Sequence, residues 1–261
     1  MNYCFLKSHL NRFIVFIFLA NILILTFESC STTKTAEPTS DEFLFNKAMD
    51  KFNREDYLEA KSMFDAFLLQ YRASKLADQA QYYEAEISYK REEFITAAWE
   101  YNKVASTYSS SPLVTISLFK AAKCYYELSP SYDRDQEYTV KAIAALINFK
   151  QMYSKDSLAQ VADKYIAELR NKLAFREYKT AELYIKLDDP RAALIYYQSV
   201  LSDYSDTDYF EESFWGKIQM LYRLKKFDEL KSMLATYSRV FPGGKYLKDV
   251  SDLSKKVVNL K

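Results

Sequence analysis

The chain has 261 residues, of which 49% are hydrophobic and 16% aromatic, and it carries 36 basic and 35 acidic residues. This length and apolar content suffice for one elongated domain or two compact ones. Only three glycines occur, which leaves little material for hairpins, phosphate-binding loops or nucleophile elbows, so we expect an all-α protein.

Residues 1–29 have the layout of a secretory signal peptide. Two basic residues, Lys7 and Arg12, precede an apolar run over residues 13–27. A transmembrane anchor is the alternative, but this run is shorter than the ~20 residues that cross a bilayer. We therefore predict that residues 1–29 are removed from the mature protein.

Cys30 follows in a context that resembles a bacterial lipobox. Ser29 is the small residue before the cysteine, whereas Phe27 and Glu28 depart from the commonest pattern. We expect Cys30 to become the lipidated first residue of the mature chain, with this covalent lipid as its anchor and no cofactor. Residues 30–41 contain the small and polar stretch STTKTAEPTS, and we expect them to form a flexible tether.

The mature chain excludes several classes of function. Without residues 1–29 it loses two of 36 basic and one of 35 acidic residues, so 34 of each remain and nucleic acid is not an expected partner. The only histidine, His9, is lost as well, so no Ser–His or Cys–His pair can form. Cys124 has no cysteine to pair with and is expected to be a buried structural thiol. We expect a protein that is not an enzyme.

From residue 42 onward the sequence repeats itself. Five sets of four apolar residues, beginning with alanine in four of the sets, follow one another at steps of 37, 45, 51 and 37 residues. The sets are Ala60, Phe64, Phe67 and Tyr71; Ala97, Tyr101, Val104 and Tyr108; Ala142, Leu146, Phe149 and Tyr153; Ala193, Tyr197, Val200 and Tyr204; and Leu230, Leu234, Tyr237 and Phe241. A small residue followed at helical spacing by large ones is typical of tetratricopeptide helix pairs.

We therefore predict an all-α, tetratricopeptide-repeat-like superhelical solenoid of five helix pairs plus a C-terminal capping helix. The solenoid is expected at residues 42–260, with repeats at about 42–74, 75–111, 112–156, 157–206 and 207–244 and the cap at 246–259.

The two longer steps indicate insertions. Eight extra residues fall between Tyr126 and Thr139, and fourteen fall upstream of Ala181, where they lengthen the first helix of repeat four. Serines and threonines that follow the closing aromatic residue of each repeat are expected to cap the next helix.

The first insertion contains the charged segment SYDRDQEYT. Asp133, Asp135 and Glu137 stand at the first ligand positions of a calcium loop, but Tyr138 replaces the required glycine and Ala144 the bidentate glutamate, so no metal site is predicted. Alternating charges in a solvated loop also form no catalytic carboxylate pair. We expect a structural aspartate–arginine network that caps the following helix.

Two stretches of the sequence resemble the BamD (YfiO) family of lipoproteins of the bacterial β-barrel assembly machinery. They are SYDRDQEYTVKA and LRNKLAFREYKTAELYIKLDDPRAALIYYQSVLSDYSDT, within a resemblance that covers about residues 42–245. Residues that match family motifs, with the adjoining Asp133, are Asp133, Arg134, Asp135, Gln136, Leu169, Arg170, Leu173 and Ala174. One departure is KLDDPRAA, with Leu187 and Asp188 where the family usually has a basic-Gly segment.

The resemblance implies a non-enzymatic scaffold, lipid-anchored at the periplasmic face of the outer membrane. Implied partners are the periplasmic domains of a BamA-like barrel subunit, bound by the C-terminal repeats, and unfolded outer membrane protein precursors, bound nearer the N-terminus. Partner contacts are expected in the charge cluster of repeat four, at Arg170, Lys172, Arg176 and Glu177. The alternative is a ligand- or glycan-binding outer membrane lipoprotein, which would need an added ligand domain.

Cys30→Ala is expected to release the protein from the outer membrane, because acyl chains supply the main attachment of a neutral, water-soluble domain. The measurement is fractionation of membranes after a salt wash, with Cys124→Ala as the matched cysteine control. Sedimentation of the Cys30→Ala variant with the washed membranes would contradict the prediction.

Overall fold

The computed structural model describes residues 40–258, and the predicted signal peptide and Cys30 lie outside this range. Residues 40–258 contain eleven α-helices and no strand. The helices are α1 (Asp41–Asn53), α2 (Tyr57–Gln70), α3 (Ala77–Lys90), α4 (Phe94–Thr107), α5 (Val114–Glu127), α6 (Glu137–Met152), α7 (Ser157–Lys186), α8 (Pro190–Asp203), α9 (Phe210–Arg223), α10 (Phe227–Val240) and α11 (Leu247–Val258).

Each helix packs against the next along the chain, so that α1 to α10 form five consecutive pairs and α11 covers the last pair. This arrangement confirms the predicted solenoid of helix pairs with a capping helix. The lengthened first helix of repeat four is confirmed too, because α7 has 30 residues whereas the other first helices have 13 or 14.

Alanines lie where the two helices meet in four of the five pairs, and Ile218 and Leu230 take these positions in the fifth. The paired positions, each within one hydrophobic cluster and 0–1% exposed, are Ala48 and Ala60, Ala85 and Ala97, Ala122 and Ala142, Ala181 and Ala193, and Ile218 and Leu230. Alanine has no atoms beyond Cβ, so the backbones can approach closely and the larger neighbours pack around the contact.

The first helices of four pairs end in the same tight turn. In α3 the N–H of Glu93 donates to the Ser88 carbonyl (2.9 Å) and the N–H of Glu92 donates to the Tyr89 carbonyl (3.0 Å), which is a Schellman motif. Its left-handed position usually carries glycine, but here the residues with φ of 57–61° are Glu55, Glu92, Asp188 and Lys225. Left-handed backbone costs a side-chain-bearing residue about 1–2 kcal/mol, so tertiary packing must maintain these turns.

The second helix of every pair ends at the predicted aromatic residue. The N–H of each of these residues donates to the carbonyl four residues earlier: Tyr71, Tyr108, Tyr153, Tyr204 and Phe241. Their own carbonyls accept from the residue three positions later, which closes a turn into the next pair.

The prediction that serines and threonines after these aromatic residues cap the next helix is wrong, because α3, α5 and α9 have no side-chain cap and the cap of α7 is Asp156. Ser74 lies ahead of α3, where its Oγ accepts from the Leu76 N–H (3.1 Å) and donates to Asp41 Oδ2 (2.6 Å) at the start of α1. Ser111 makes the same contacts with Leu113 and with Asp78 of α3. The serines therefore link adjacent repeats rather than terminate a helix.

Gly216→Ala should lower the stability of the protein. A Cβ at this buried position of α9 would lie 2.6 Å from Cε1 of Tyr197, whose side chain is itself buried. We expect a loss of about 1–3 kcal/mol from overpacking, reduced by the ~1 kcal/mol by which alanine favours a helix over glycine. Gly243→Ala is the matched control, because no atom lies within 4 Å of its Cβ. Equal melting temperatures of the two variants by circular dichroism would contradict this account.

Candidate partner-binding surfaces

The segment between α5 and α6 is organised by the side chain of Gln136, which is 5% exposed. Its Nε2 donates to the carbonyls of Ser131 (2.8 Å) and Arg134 (3.0 Å), and its Oε1 accepts from the hydroxyl of buried Thr139 (2.7 Å). The Thr139 hydroxyl also lies 2.5 Å from Ser129 Oγ. One amide therefore satisfies the backbone of the insertion and joins both of its ends.

The predicted aspartate–arginine network is not present in this segment. Asp135 Oδ1 does accept from the Glu137 N–H at the start of α6 (2.9 Å), but within residues 40–258 Arg134 makes no ion pair. Asp133 accepts from the Ser131 hydroxyl (2.5 Å), which lowers the pKa of the Asp133 carboxyl. The neutral side chain of Gln136 takes the role expected of the charges, because it is the buried one and can both donate and accept.

The insertion is fastened to α7. Lys172 Nζ donates to Ser129 Oγ (2.9 Å), and partial burial lowers the pKa of this ammonium group. The ring of Tyr132 meets Phe175 edge to face, with centroids 4.6 Å apart. Lys172, which was predicted to contact a partner, therefore has an internal contact that positions the insertion.

Arg170 also binds within the chain. Its Nε and Nη2 donate to the two carboxylate oxygens of Asp206 (2.7 and 2.5 Å), and Nη2 donates to the Asp203 carbonyl (2.7 Å). This fork lowers the pKa of Asp206 through the hydrogen bonds to Arg170. The side chain is partly buried and stands over the Tyr204 ring. Arg170 thus joins α7 to the turn that follows α8.

The extended part of α7 presents a stripe of four residues, which we call the α7 stripe: Arg176, Lys179, Leu183 and Lys186. With Tyr132 of the insertion they line a groove of about 440 Å³. Leu183 is 51% exposed there, and Lys179 is paired with Glu182 (2.7 Å). The stripe offers cationic groups around an exposed apolar side chain.

Of the four predicted partner contacts, only Arg176 lines this groove. Glu177 lies outside it, and burial raises the pKa of its carboxyl. Lys179, Leu183 and Lys186 were not predicted as contacts, although successive steps of three, four and three residues from Arg176 place all four on one helical face.

A second groove, of about 600 Å³, lies between α9 and α11. It is lined by Ile185, Trp215, Gln219, Met220, Tyr222, Arg223, Asp249, Asp252, Leu253 and Lys256. Trp215 is stacked on Tyr246, with ring centroids 5.3 Å apart, and Tyr222 is 42% exposed. The capping helix therefore supplies one wall of a surface that is both aromatic and charged.

Cys124 lies buried in α5, as predicted, and burial raises the pKa of its thiol to about 12. A thiol that stays protonated is a poor nucleophile. Within residues 40–258 no three His, Cys, Asp or Glu side chains come together as metal ligands would. Nor does any helix in that range have the length and apolar character needed to span a bilayer.

Comparison with known proteins matches residues 37–235 to the family model described as YfiO, outer membrane lipoprotein. Among relatives, the outer membrane protein assembly factor BamD of Caulobacter vibrioides is 23% identical over 80% of this chain and 68% of its own length. BamD of Neisseria meningitidis serogroup B is 25% identical over 86% of this chain and 90% of its own. BamD of Rickettsia prowazekii is 20% identical over 78% and 81%.

Gln136→Ala should destabilise the protein, because it removes three hydrogen bonds, two to carbonyls of the insertion and one from the hydroxyl of buried Thr139. We expect a loss of about 1–3 kcal/mol, measured as a lower melting temperature. Asp133→Asn is the control, since this exposed side chain can still accept from Ser131.

Added calcium should not shift the melting temperature of either variant or of the wild-type protein. A calcium-dependent rise, or a Gln136→Ala protein as stable as Asp133→Asn, would show that charge rather than the amide organises the insertion.

Proposed function

The chain belongs to the YfiO family of outer membrane lipoproteins, and we propose that it is a non-enzymatic scaffold for the assembly of outer membrane β-barrel proteins. The relatives named above, all of them assembly factors, support this function. In this proposal lipid on Cys30 holds the solenoid at the periplasmic face of the outer membrane.

One observation carries the location of the main partner site. The two insertions, which interrupt an otherwise regular repeat, meet in one groove: Tyr132 comes from the first, and the α7 stripe lies along the helix that the second lengthens. Residues added to a regular solenoid and packed together beside an exposed leucine form a surface that the repeat itself does not need. We therefore assign this groove to the periplasmic domain of a BamA-like barrel subunit.

The chemistry of the groove defines the expected contact. The three cations that line the groove outnumber its two carboxylates, Asp133 and Glu182, and therefore suit carboxylates on the partner, while Leu183 suits an apolar side chain. Arg170 and Lys172 support the groove through contacts within the chain. Arg170 holds the turn after α8 against α7, and Lys172 holds the insertion against α7. Unfolded precursor segments are proposed to bind the first two repeats, whose helix pairs carry no insertion.

The double substitution Arg176→Glu and Lys179→Glu should weaken binding of the barrel subunit at least about tenfold, because like charges then oppose the partner's carboxylates. Binding is measured by co-purification from outer membrane extracts with a tagged lipoprotein and by mass spectrometry of the captured barrel subunit. Lys164→Glu is the control, since it reverses one charge at an exposed position of α7 outside the groove.

Precursor peptides should bind the double variant and the wild-type protein equally. The proposed division of sites is wrong if barrel and precursor binding fall together while the melting temperature is unchanged. The assignment of the groove is wrong if Lys164→Glu weakens barrel binding as much as the double substitution.

A further inference from the structure

A third groove lies on a different part of the solenoid, between α2 and α4, which are the second helices of the first two repeats. α3 forms its floor, and its volume is about 780 Å³. The lining residues are Asp65, Leu68, Leu69, Arg72, Gln81, Glu84, Trp99, Glu100, Lys103, Thr107 and Tyr108. None of them belongs to the grooves along α7 and α11.

Buried carboxyl groups make this floor unlike the other repeat interfaces. Glu100 occupies a position that is apolar in the other four second helices, which have Met63, Ala145, Tyr196 and Met233. Glu84 is 2% and Glu100 6% exposed, and the two share one amide: Gln81 Nε2 donates to Glu84 Oε2 (3.0 Å) and to Glu100 Oε2 (2.6 Å).

The second carboxyl oxygen of Glu84, Oε1, is buried and has no hydrogen-bond partner among the residues that the structure describes. An unpaired buried polar atom costs about 1–3 kcal/mol, and an apolar residue would avoid this cost, as Ala121 does at the corresponding position of α5. Burial, together with Asp65, raises the pKa of Glu84 to about 8. Lys61 opposes this rise, but its ammonium group is itself paired with Asp65 (3.4 Å).

The walls are apolar and open. Leu69 is 73% and Trp99 60% exposed, one on each side of the groove. Lys103 illustrates the chemistry that fits here, because its Nζ lies 5.0 Å from the Trp99 ring centroid and 3.8 Å from Glu100 Oε2. A cation between an indole and a carboxylate is favourable at such distances.

We propose that this groove binds a protein segment that carries an arginine or lysine beside an apolar side chain. The cation lies in the groove beside Glu84, which belongs to its lining, and the apolar side chain packs on Leu69 and Trp99. Charge complementarity favours this occupant, since only a donor with a positive charge both satisfies Oε1 and offsets the buried carboxylate. The groove lies in the first two repeats, where precursor segments are proposed to bind, so this proposal rests on that assignment and specifies a basic and an apolar side chain in the bound segment.

Binding of a cation must then be linked to ionisation of Glu84. A carboxyl with a pKa of about 8 is ionised in about one tenth of the molecules at pH 7 and about nine tenths at pH 9. A cation that needs the ionised form therefore binds about tenfold more tightly at pH 9 and releases a proton at pH 7. The charged and titratable groups around Glu84 are Lys61, Asp65, Arg72, Glu100, Lys103 and Tyr108.

The test uses the full chain and two synthetic peptides, acetyl-Leu-Arg-Phe-Leu-amide and the same peptide with neutral citrulline for arginine. Isothermal titration at pH 7 and pH 9, in two buffers of different ionisation enthalpy, gives affinities and proton release. We expect the arginine peptide to bind at least tenfold more tightly than the citrulline peptide at pH 9. Its affinity should rise about tenfold from pH 7 to pH 9, with close to one proton released at pH 7.

Glu84→Gln should abolish both the preference for arginine and the pH dependence, whereas Glu42→Gln, an exposed change in α1, should alter neither. Equal binding of the two peptides to the wild-type protein overturns the proposal, and this comparison requires no variant. So does an affinity that falls from pH 7 to pH 9, which would indicate that protonated Glu84 donates to a carbonyl. Arginine preference retained in a folded Glu84→Gln protein overturns it as well.

Discussion

No helix pair of this solenoid can bury its apolar face alone. Each of the five hydrophobic clusters in residues 40–258 combines both helices of one pair with the next helix along the chain. The first cluster takes Ala77, Ala80 and Ile87 from α3, and the last takes Val250 and Val257 from α11. Stability is therefore a sum over neighbouring interfaces, and α11 covers the fifth pair as the first helix of the next pair does elsewhere. Insertions are tolerated where these interfaces stay intact, as they do around α5, α6 and α7.

The sequence predicts what is periodic. Pairing, the long α7 and the closing aromatic residues follow from apolar positions that recur at a fixed step, because each recurrence reports the same burial. The sequence did not predict the left-handed turns at Glu55, Glu92, Asp188 and Lys225. These residues are not glycine, so only the backbone angles of the structure identify the turns. The sequence did not predict the polar contacts between repeats either. The partners in these contacts are 33 to 36 residues apart, about one repeat, so they can be paired only once the register of the repeats is known. The pairs are Ser74 with Asp41, Ser111 with Asp78, and Arg170 with Asp206.

The candidate site likewise has a part that the sequence could predict and a part that it could not. Arg176 and the rest of the α7 stripe have a helical spacing that the sequence contains, so the stripe was predictable in principle. The place of Tyr132 was not, because a loop without periodicity gives no signal for where it folds back. Gln136 illustrates the reason. The adjacent charges led to the prediction of a charged network, but burial decides which side chain organises a loop. A neutral amide is less costly to bury than the charged side chain of Arg134 or Asp135.

The two halves of the solenoid should respond to pH in opposite senses. Glu84 has a raised pKa, so the interface around α3 is most stable at low pH and loses stability as the pH rises from the ordinary carboxyl value towards about 8. Asp206 has a lowered pKa because of Arg170, so its contribution is present at neutral pH and is lost as the pH falls through the acid range. Because interfaces contribute separately in a repeat protein, each change remains local. A buried carboxyl at the N-terminal junction therefore weakens only that junction, so the other interfaces maintain the fold while Glu84 Oε1 has no hydrogen-bond partner among the described residues.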